Sequence, residues 1–460
     1  MTTYDLAVNN GLVVNATHKE LANIGVQDGK IVNISKEPLT GKETIDAKGK
    51  WVIPGVVDTH IHFALKQGQG DSAVMTEDDY TTGPIASAVG GVTTFVDYAI
   101  CPQNRTLKDF LQERMALAEN GSCIDYGFHG GITNSSPAAL KEIKPVIDMG
   151  VPSFKFFMTY RKWGFAVGMG FLLEVFKLLK EYNGVPCIHC EQDEIIEFLR
   201  DIYKDEKSMD YFGLSRPDFS EEISIAELVI LARETGSRLH VVHLSTEKGL
   251  NVIRDAKRKG IRVRTETCPH YLFYNDEVFK REDGYLYTMT PPLRPKGNNE
   301  ALWQGLLDGS IQILTSDHNA LGKQLKLAHP HWLDVPPGLG GSEMNLTFLH
   351  SEGVVKRGMT PEKMVDLLAT APSEEFGVTG KGKLEVGYDA DMVVFNPNEE
   401  RTVSFKDLAT PGGFTIYEGV KMKGWPEMTL SRGEVIVKDR KFIGKTGRGR
   451  FIKRSIDPTQ

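Results

Sequence analysis

The chain has 460 residues, of which 25% are charged and 40% hydrophobic, and a formal net charge of −7. That length exceeds one ordinary core, so a large domain with a smaller one beside it is expected, and the negative balance argues against a general nucleic-acid surface. No stretch approaches the roughly 20 apolar residues that a bilayer span needs, the start lacks the layout of a secretion signal, and five scattered cysteines suit a reducing compartment, so the expected setting is cytoplasmic with no membrane partner.

Residues 1–51 carry hairpin punctuation at Asp28, Gly29 and Lys30 and again at Lys48, Gly49 and Lys50, between short alternating strands. From 52 to about 370, strand and helix patterns alternate. Apolar or β-branched runs fall at 52–57, 92–98, 124–128, 153–157, 185–188, 238–242, 262–265 and 311–314. Helix-period stretches at 223–235 and 249–259 end at Gly236 and Gly260, the usual stop residue. Eight such runs with helical crossovers predict an α/β fold, a (β/α)8 TIM-type barrel, better than an open sheet.

The stretch 383–437 returns to short strands. Neither flank holds enough apolar residues for its own core, so the two chain ends are expected to combine. The predicted layout is a composite β-sandwich from 1–52 and 374–437, a barrel over 53–373, and a basic C-terminal arm over 438–460. Between 438 and 454 eight basic residues face a single acid, Asp439, and read as an arm docking on a neighbouring subunit.

Reactive groups in such a barrel sit at the C-terminal ends of strands. His60 and His62 follow the first run; side chains two apart share a face of an extended chain, so both can reach one cation, although two histidines on a solvated face would look the same. His189 ends the fifth run, His243 the sixth and Asp317 the eighth. Lys155 lies between Phe154 and Phe156, where burying an ammonium costs several kcal/mol unless it is paired or neutralised. Reaction with carbon dioxide would turn it into a carbamate, an anionic oxygen ligand able to bridge two metals. Four imidazoles, that anion and a carboxylate match zinc. Two such ions roughly 3.5–4 Å apart would share a hydroxide with a pKa near neutrality. Asp317 beside it could carry a proton to a leaving nitrogen. His18, His329 and His350 lie away from strand ends, His240 and His318 point elsewhere by the strand period, and Cys187 and Cys190 read as buried thiols.

These residues, with the segments 54–62, 76–80, 90–94, 153–160, 189–191, 241–245, 266–272, 290–294, 316–318 and 447–454, give a chain that resembles the amidohydrolase superfamily over almost its whole length. Within it the cyclic amidohydrolases are most similar, above all the D-hydantoinases and dihydropyrimidinases. The resemblance implies that His60, His62, carboxylated Lys155 and Asp317 bind one metal and Lys155, His189 and His243 the other. It also implies Tyr160 as the group that steadies the oxyanion, Thr290 and Pro337 as backbone contacts to the substrate ring, and a homotetramer.

The implied reaction is hydrolytic ring opening of cyclic imides or ureides, such as 5-substituted hydantoins or dihydropyrimidines, to N-carbamoyl amino acids by a metal-bridging hydroxide. An allantoinase, a hydrolase of another cyclic amide and a non-catalytic scaffold are the alternatives. Pro337 departs from the family's usual asparagine and keeps a carbonyl but no N–H. Gln192 also replaces an asparagine, and the loop 63–75 is unlike the common form. Leu65, Phe157, Trp163 and Phe165 are expected to wall the mouth.

Overall fold

The computed structural model describes residues 3–67, 73–329 and 331–458. Eight parallel strands form the larger curved sheet: β1 Val56–Ile61, β2 Val92–Cys101, β3 Asp125–Ile132, β4 Ser153–Phe157, β5 Val185–His189, β6 Leu239–Val241, β7 Val263–Thr267 and β8 Ile313–Leu314. Each neighbours the next in chain order. Their near-continuous apolar character follows from burial on both faces, since helices cover the outside and side chains fill the inside. The helix Asp218–Thr235 begins earlier than its periodic stretch and stops at Gly236, which takes a left-handed φ of 67°. The helix Glu247–Arg258 starts where the Thr246 side chain accepts the Gly249 N–H.

The short β8 does not close the sheet by itself. Closure comes just beyond it, where Ile61 bridges His318 in parallel. The His62 N–H donates to His318 O at 2.8 Å and the His318 N–H to His60 O at 3.3 Å. The seam of the barrel therefore lays the end of β1 beside the segment that carries Asp317.

The chain ends share one nine-stranded mixed sheet. Its join is the strand Trp51–Pro54, parallel to Thr3–Val14 on one side and antiparallel to Met392–Thr402 on the other. Leu6, Val8, Ile24, Val52, Leu384, Met392 and Leu430 make its core. The run expected at 52–57 is thus two strands. Proline and glycine part them: Pro54 has no N–H to continue a ladder, and a Cβ on Gly55 would stand 2.0 Å from Thr93 Oγ1.

Asp28 and Gly29, with φ of 53° and 76°, make the expected hairpin turn. Lys48 to Lys50 do not. Thr40–Asp46 and Trp51–Pro54 both run parallel to Thr3–Val14, so the chain makes a jog along one edge rather than a reversal.

The basic segment after 438 begins inside this sheet, where Glu434–Lys438 pairs with Lys441–Phe442, and it then lies on its own barrel instead of reaching outward. Tyr126 N–H donates to Arg450 O at 3.0 Å and Ile452 N–H to Tyr126 O at 2.7 Å. Arg454 is 3% exposed and donates to Phe376 O at 3.1 Å and Ser153 Oγ at 3.0 Å. Carbonyl oxygens at the foot of the strands satisfy charges that the sequence alone leaves without an address.

Candidate metal centre and substrate cavity

The closure seam brings the first donor group together. Asp317 Oδ1 stands 3.0 Å from His60 Nε2 and 3.3 Å from His62 Nε2. The donor atoms of these three residues lie within 4.8 Å of one another, a group that could hold a metal ion. His189, at the end of β5, and His243, two residues beyond β6, put their rings 4.5 Å apart, and the His243 ring is 5.3 Å from that of His60. Lys155 in β4 is 1% exposed, with its ammonium 4.5 Å from the centre of the Tyr98 ring and 5.2 Å from that of Phe157. Its charge acts on all four imidazoles. The six residues singled out from distant parts of the sequence thus meet at the mouth of the barrel.

The electrostatics suit a cation. Burial drives His62 and His243 below the usual imidazole range and His189 to about 4, so these rings stay neutral and present lone pairs. Among the described residues, His62 Nδ1 and His243 Nδ1 are buried without a hydrogen-bond partner. Burial works against a charged Asp317, but His60 and His62 outweigh it and hold the carboxyl well below its ordinary value. Burial also lowers the Lys155 ammonium, which no carboxylate pairs among the described residues. These donors fit a divalent ion: unpaired nitrogens, an ionised carboxylate and a lysine ready to lose its proton.

Two carboxylates orient the rings from behind. Glu266, at the end of β7, accepts from His60 Nδ1 and, at 3.1 Å, from His240 Nε2. Glu191 accepts from His189 Nε2 at 2.7 Å and from Arg216 at 2.5 Å. Burial would raise both acids, yet the surrounding histidines and arginines hold each at about 2. Such hydrogen bonds fix tautomer and ring orientation. His318 is held by Asp78 and by the N–H groups of Gly341 and Ser342, so it stays a structural residue. Gln192 turns away to Glu227 at 2.8 Å.

A cavity opens above these groups. His62, Lys155, His189, His243 and Asp317 form its floor, with Leu65, Phe157, Trp163 and Phe165 in its wall. Tyr160 overhangs it: the ring stacks on Trp163 with centroids 4.9 Å apart and the hydroxyl donates to Thr290 Oγ1. Burial raises that phenol to about 12, so it stays a donor. Pro337 also lines the cavity, and its O accepts from Gln67 Nε2 at 3.3 Å. Tyr160, His243 and Asp317 all hold left-handed backbone, with φ of 69°, 38° and 47°. A conformation costly for a side chain, repeated at three points around one cavity, marks a site where geometry overrides local preference.

Sequence reasoning missed three groups here. Glu266 backs His60, and its signal was present, since it too ends a strand. His270 and Asn319 line the cavity with His270 Nε2 and Asn319 Oδ1 buried and unpartnered among the described residues; His270 sits on the five-residue helix Pro269–Phe273 and Asn319 on a loop, both too short for periodicity to betray them. Thr290, expected to act through its backbone, also uses its hydroxyl, which accepts a hydrogen bond from the Tyr160 O–H.

Residues 51–436 match the model of the amidohydrolase family. The chain belongs to the amidohydrolase family. This amidohydrolase is 34% identical to a D-hydantoinase of Geobacillus stearothermophilus over 457 residues, covering 97% of the chain and 96% of that relative. A D-phenylhydantoinase of Escherichia coli is also 34% identical, with 97% of each chain covered. A dihydropyrimidinase structure from Brevibacillus agri NCHU1002 superposes with a TM-score of 0.94 at 30% identity, covering 98% of each chain.

Proposed function

We propose that this amidohydrolase opens cyclic imides or ureides, of the 5-substituted hydantoin or dihydropyrimidine type, to N-carbamoyl amino acids. The observation that carries the reading is the meeting of His60, His62 and Asp317 with His189, His243 and the unpaired Lys155 under one cavity. Relatives named as hydantoinases and a dihydropyrimidinase along the full length supply the substrate class.

His60, His62, Lys155 and Asp317 would hold one divalent ion and Lys155, His189 and His243 a second, with zinc favoured by nitrogen and oxygen donors. When bound, such ions acidify water into a nucleophile at neutral pH and polarise the carbonyl under attack. Lys155 joins as a carbamate: its neutral amine attacks carbon dioxide, a nitrogen–carbon bond forms, one oxygen takes up the electron pair, and the ammonium proton is lost. Burial favours this by lowering the Lys155 ammonium.

Tyr160 donates its O–H to the oxygen that gains charge as the ring carbonyl becomes tetrahedral. The backbone at Thr290 and the Pro337 carbonyl flank the cyclic amide, the latter accepting a ring N–H. Asp317 takes the proton of the attacking water and passes it to the leaving ring nitrogen, which breaks the carbon–nitrogen bond.

The test is a panel of hydantoin, dihydrouracil, allantoin and dihydroorotate, offered to protein purified with zinc and bicarbonate and followed by ring-opening absorbance. Turnover of hydantoin or dihydrouracil is expected; turnover of allantoin alone would move the enzyme to the allantoinases, and none at all, with less than one metal bound, would make it a scaffold. We also infer self-association, as a homotetramer. Phe198 and Ile202, one turn apart on the helix Asp193–Ile202, are 67% and 58% exposed, an apolar face suited to a second subunit. A monomer in light scattering would refute that. Among the described residues no helix is long and apolar enough to cross a membrane. All five cysteines are free and buried, which agrees with a cytoplasmic setting.

A further inference from the structure

Lys155 is not the only lysine sealed inside this protein. Lys326, on the short helix Lys323–Leu327 that follows Asp317, is 0% exposed. Its three ammonium protons face three acceptors: Thr288 O at 2.9 Å, Thr288 Oγ1 at 2.8 Å and Pro336 O at 3.2 Å. None of these is a carboxylate. A buried ammonium with no counter-charge is costly, and methionine would fill a similar volume without that cost. What methionine could not do is donate three hydrogen bonds at once.

Those bonds join two separate pieces of the cavity wall. Thr288 lies two residues before Thr290, and Pro336 directly precedes Pro337; Thr290 and Pro337 both line the cavity. The same two pieces also touch directly, Gly338 N–H donating to Thr288 O at 3.0 Å and Thr288 Oγ1 to Pro336 O at 3.4 Å. Lys326 is the hub of this junction. There is no slack on the far side, because a Cβ on Gly338 would sit 2.7 Å from Asn319 O.

We propose that Lys326 is a positioning residue of the substrate cavity: its amino group braces the segment carrying Pro337 against the turn carrying Thr290 and so sets the spacing of the two backbone groups that flank the cyclic amide. The proposal rests on the functional reading above. It predicts a residue that governs ring binding while touching neither the ring nor the donors at the barrel mouth.

Burial lowers the Lys326 ammonium to about 7, with no other influence on it. Lys323 on its own helix, His329 just past that helix, His331 and Asp334 ahead of Pro336, and Tyr285 and Tyr287 on the turn before Thr288 are the titratable groups on the packed elements, and none of them shifts it. Below neutrality the brace keeps all three donors; above it the neutral amine has two, and the junction loosens.

Lys326→Met and Thr288→Val, compared with wild type as full-length zinc- and bicarbonate-loaded protein on the best ring substrate of the panel, test this. Lys326→Met is expected to raise KM about tenfold or more while kcat and bound metal stay near wild type, and Thr288→Val to raise it less. Wild-type KM is expected to climb from about pH 6 to 9, and that of Lys326→Met to stay flat. KM unchanged in both variants, or parallel loss of kcat and metal, overturns the positioning role. Should Lys326→Met fail to fold, Thr288→Val and the wild-type profile decide, and a flat wild-type KM overturns it. A wild type that opens no ring sinks the functional reading, whereas an active wild type with unresponsive KM sinks this proposal alone.

Discussion

Two ends of the barrel bury a lysine in opposite ways. At the mouth, Lys155 lies between aromatic rings with no carboxylate within ion-pair reach among the described residues. At the foot, Lys381 is almost as buried but meets Asp125 at 2.6 Å, Asp391 at 2.7 Å and Asp389 at 2.9 Å, and Arg432 adds a second cation to Asp125. The foot cancels its charge internally and joins the small sheet to the start of β3. The mouth leaves lone pairs and an amine unspent. Buried charge that is fully paired reads as structure; buried charge left open beside strained backbone reads as a place where something else must bind.

Substitution can break this contrast, starting at the mouth. Lys155→Ala is expected to remove bound metal and to cut kcat/KM by about 10³ or more, while Lys381→Ala leaves metal content and kcat near wild type. Metal analysis beside steady-state kinetics checks it, and a metal-replete, active Lys155→Ala would erase the distinction. Tyr160→Phe comes next, with kcat expected to fall by about 10²–10³ and metal retained. A fall confined to KM would make the phenol a binding group.

At the foot the effect is on stability. Lys381→Ala should cost about 3–5 kcal/mol, since it leaves buried carboxylates without their cation, and denaturant unfolding measures it. The smallest effect is in its pH dependence. Burial pushes the Asp389 carboxyl up, but Lys381, with hydrogen bonds from Lys30 and Lys381 itself, outweighs this and holds it below 3.8. The folded protein then binds fewer protons there than the unfolded chain, so the stabilisation is complete above pH 3.8 and disappears as pH falls through the lowered value. Wild-type thermal midpoints are expected to drop over that acidic window more steeply than those of Lys381→Ala. Parallel curves would show that Asp389 owes nothing to the lysine.

The donors at the mouth were legible because a parallel barrel turns one-dimensional position into shared space: a histidine or aspartate at the end of any strand faces the same opening. His60, His62, His189, His243 and Asp317 needed no knowledge of contacts beyond that. The division between Trp51–Pro54 and β1 was not read, although Pro54 and Gly55 interrupt the run, because the change of sheet depends on partners far along the chain. Nor was the course of the basic segment, because an arginine reads the same in sequence whether it meets water, another subunit or, as Arg454 does, the carbonyls under its own strands. Lys326 escaped notice for a related reason, as its short helix looks like ordinary polar surface until the two loops close over it.

The strand Trp51–Pro54 carries a consequence for how the molecule is made. Its outer partner, Met392–Thr402, is synthesised more than three hundred residues later, and β1, which leads to His60 and His62, starts two residues past Pro54. The small sheet therefore gains this join only after all eight barrel strands have been made.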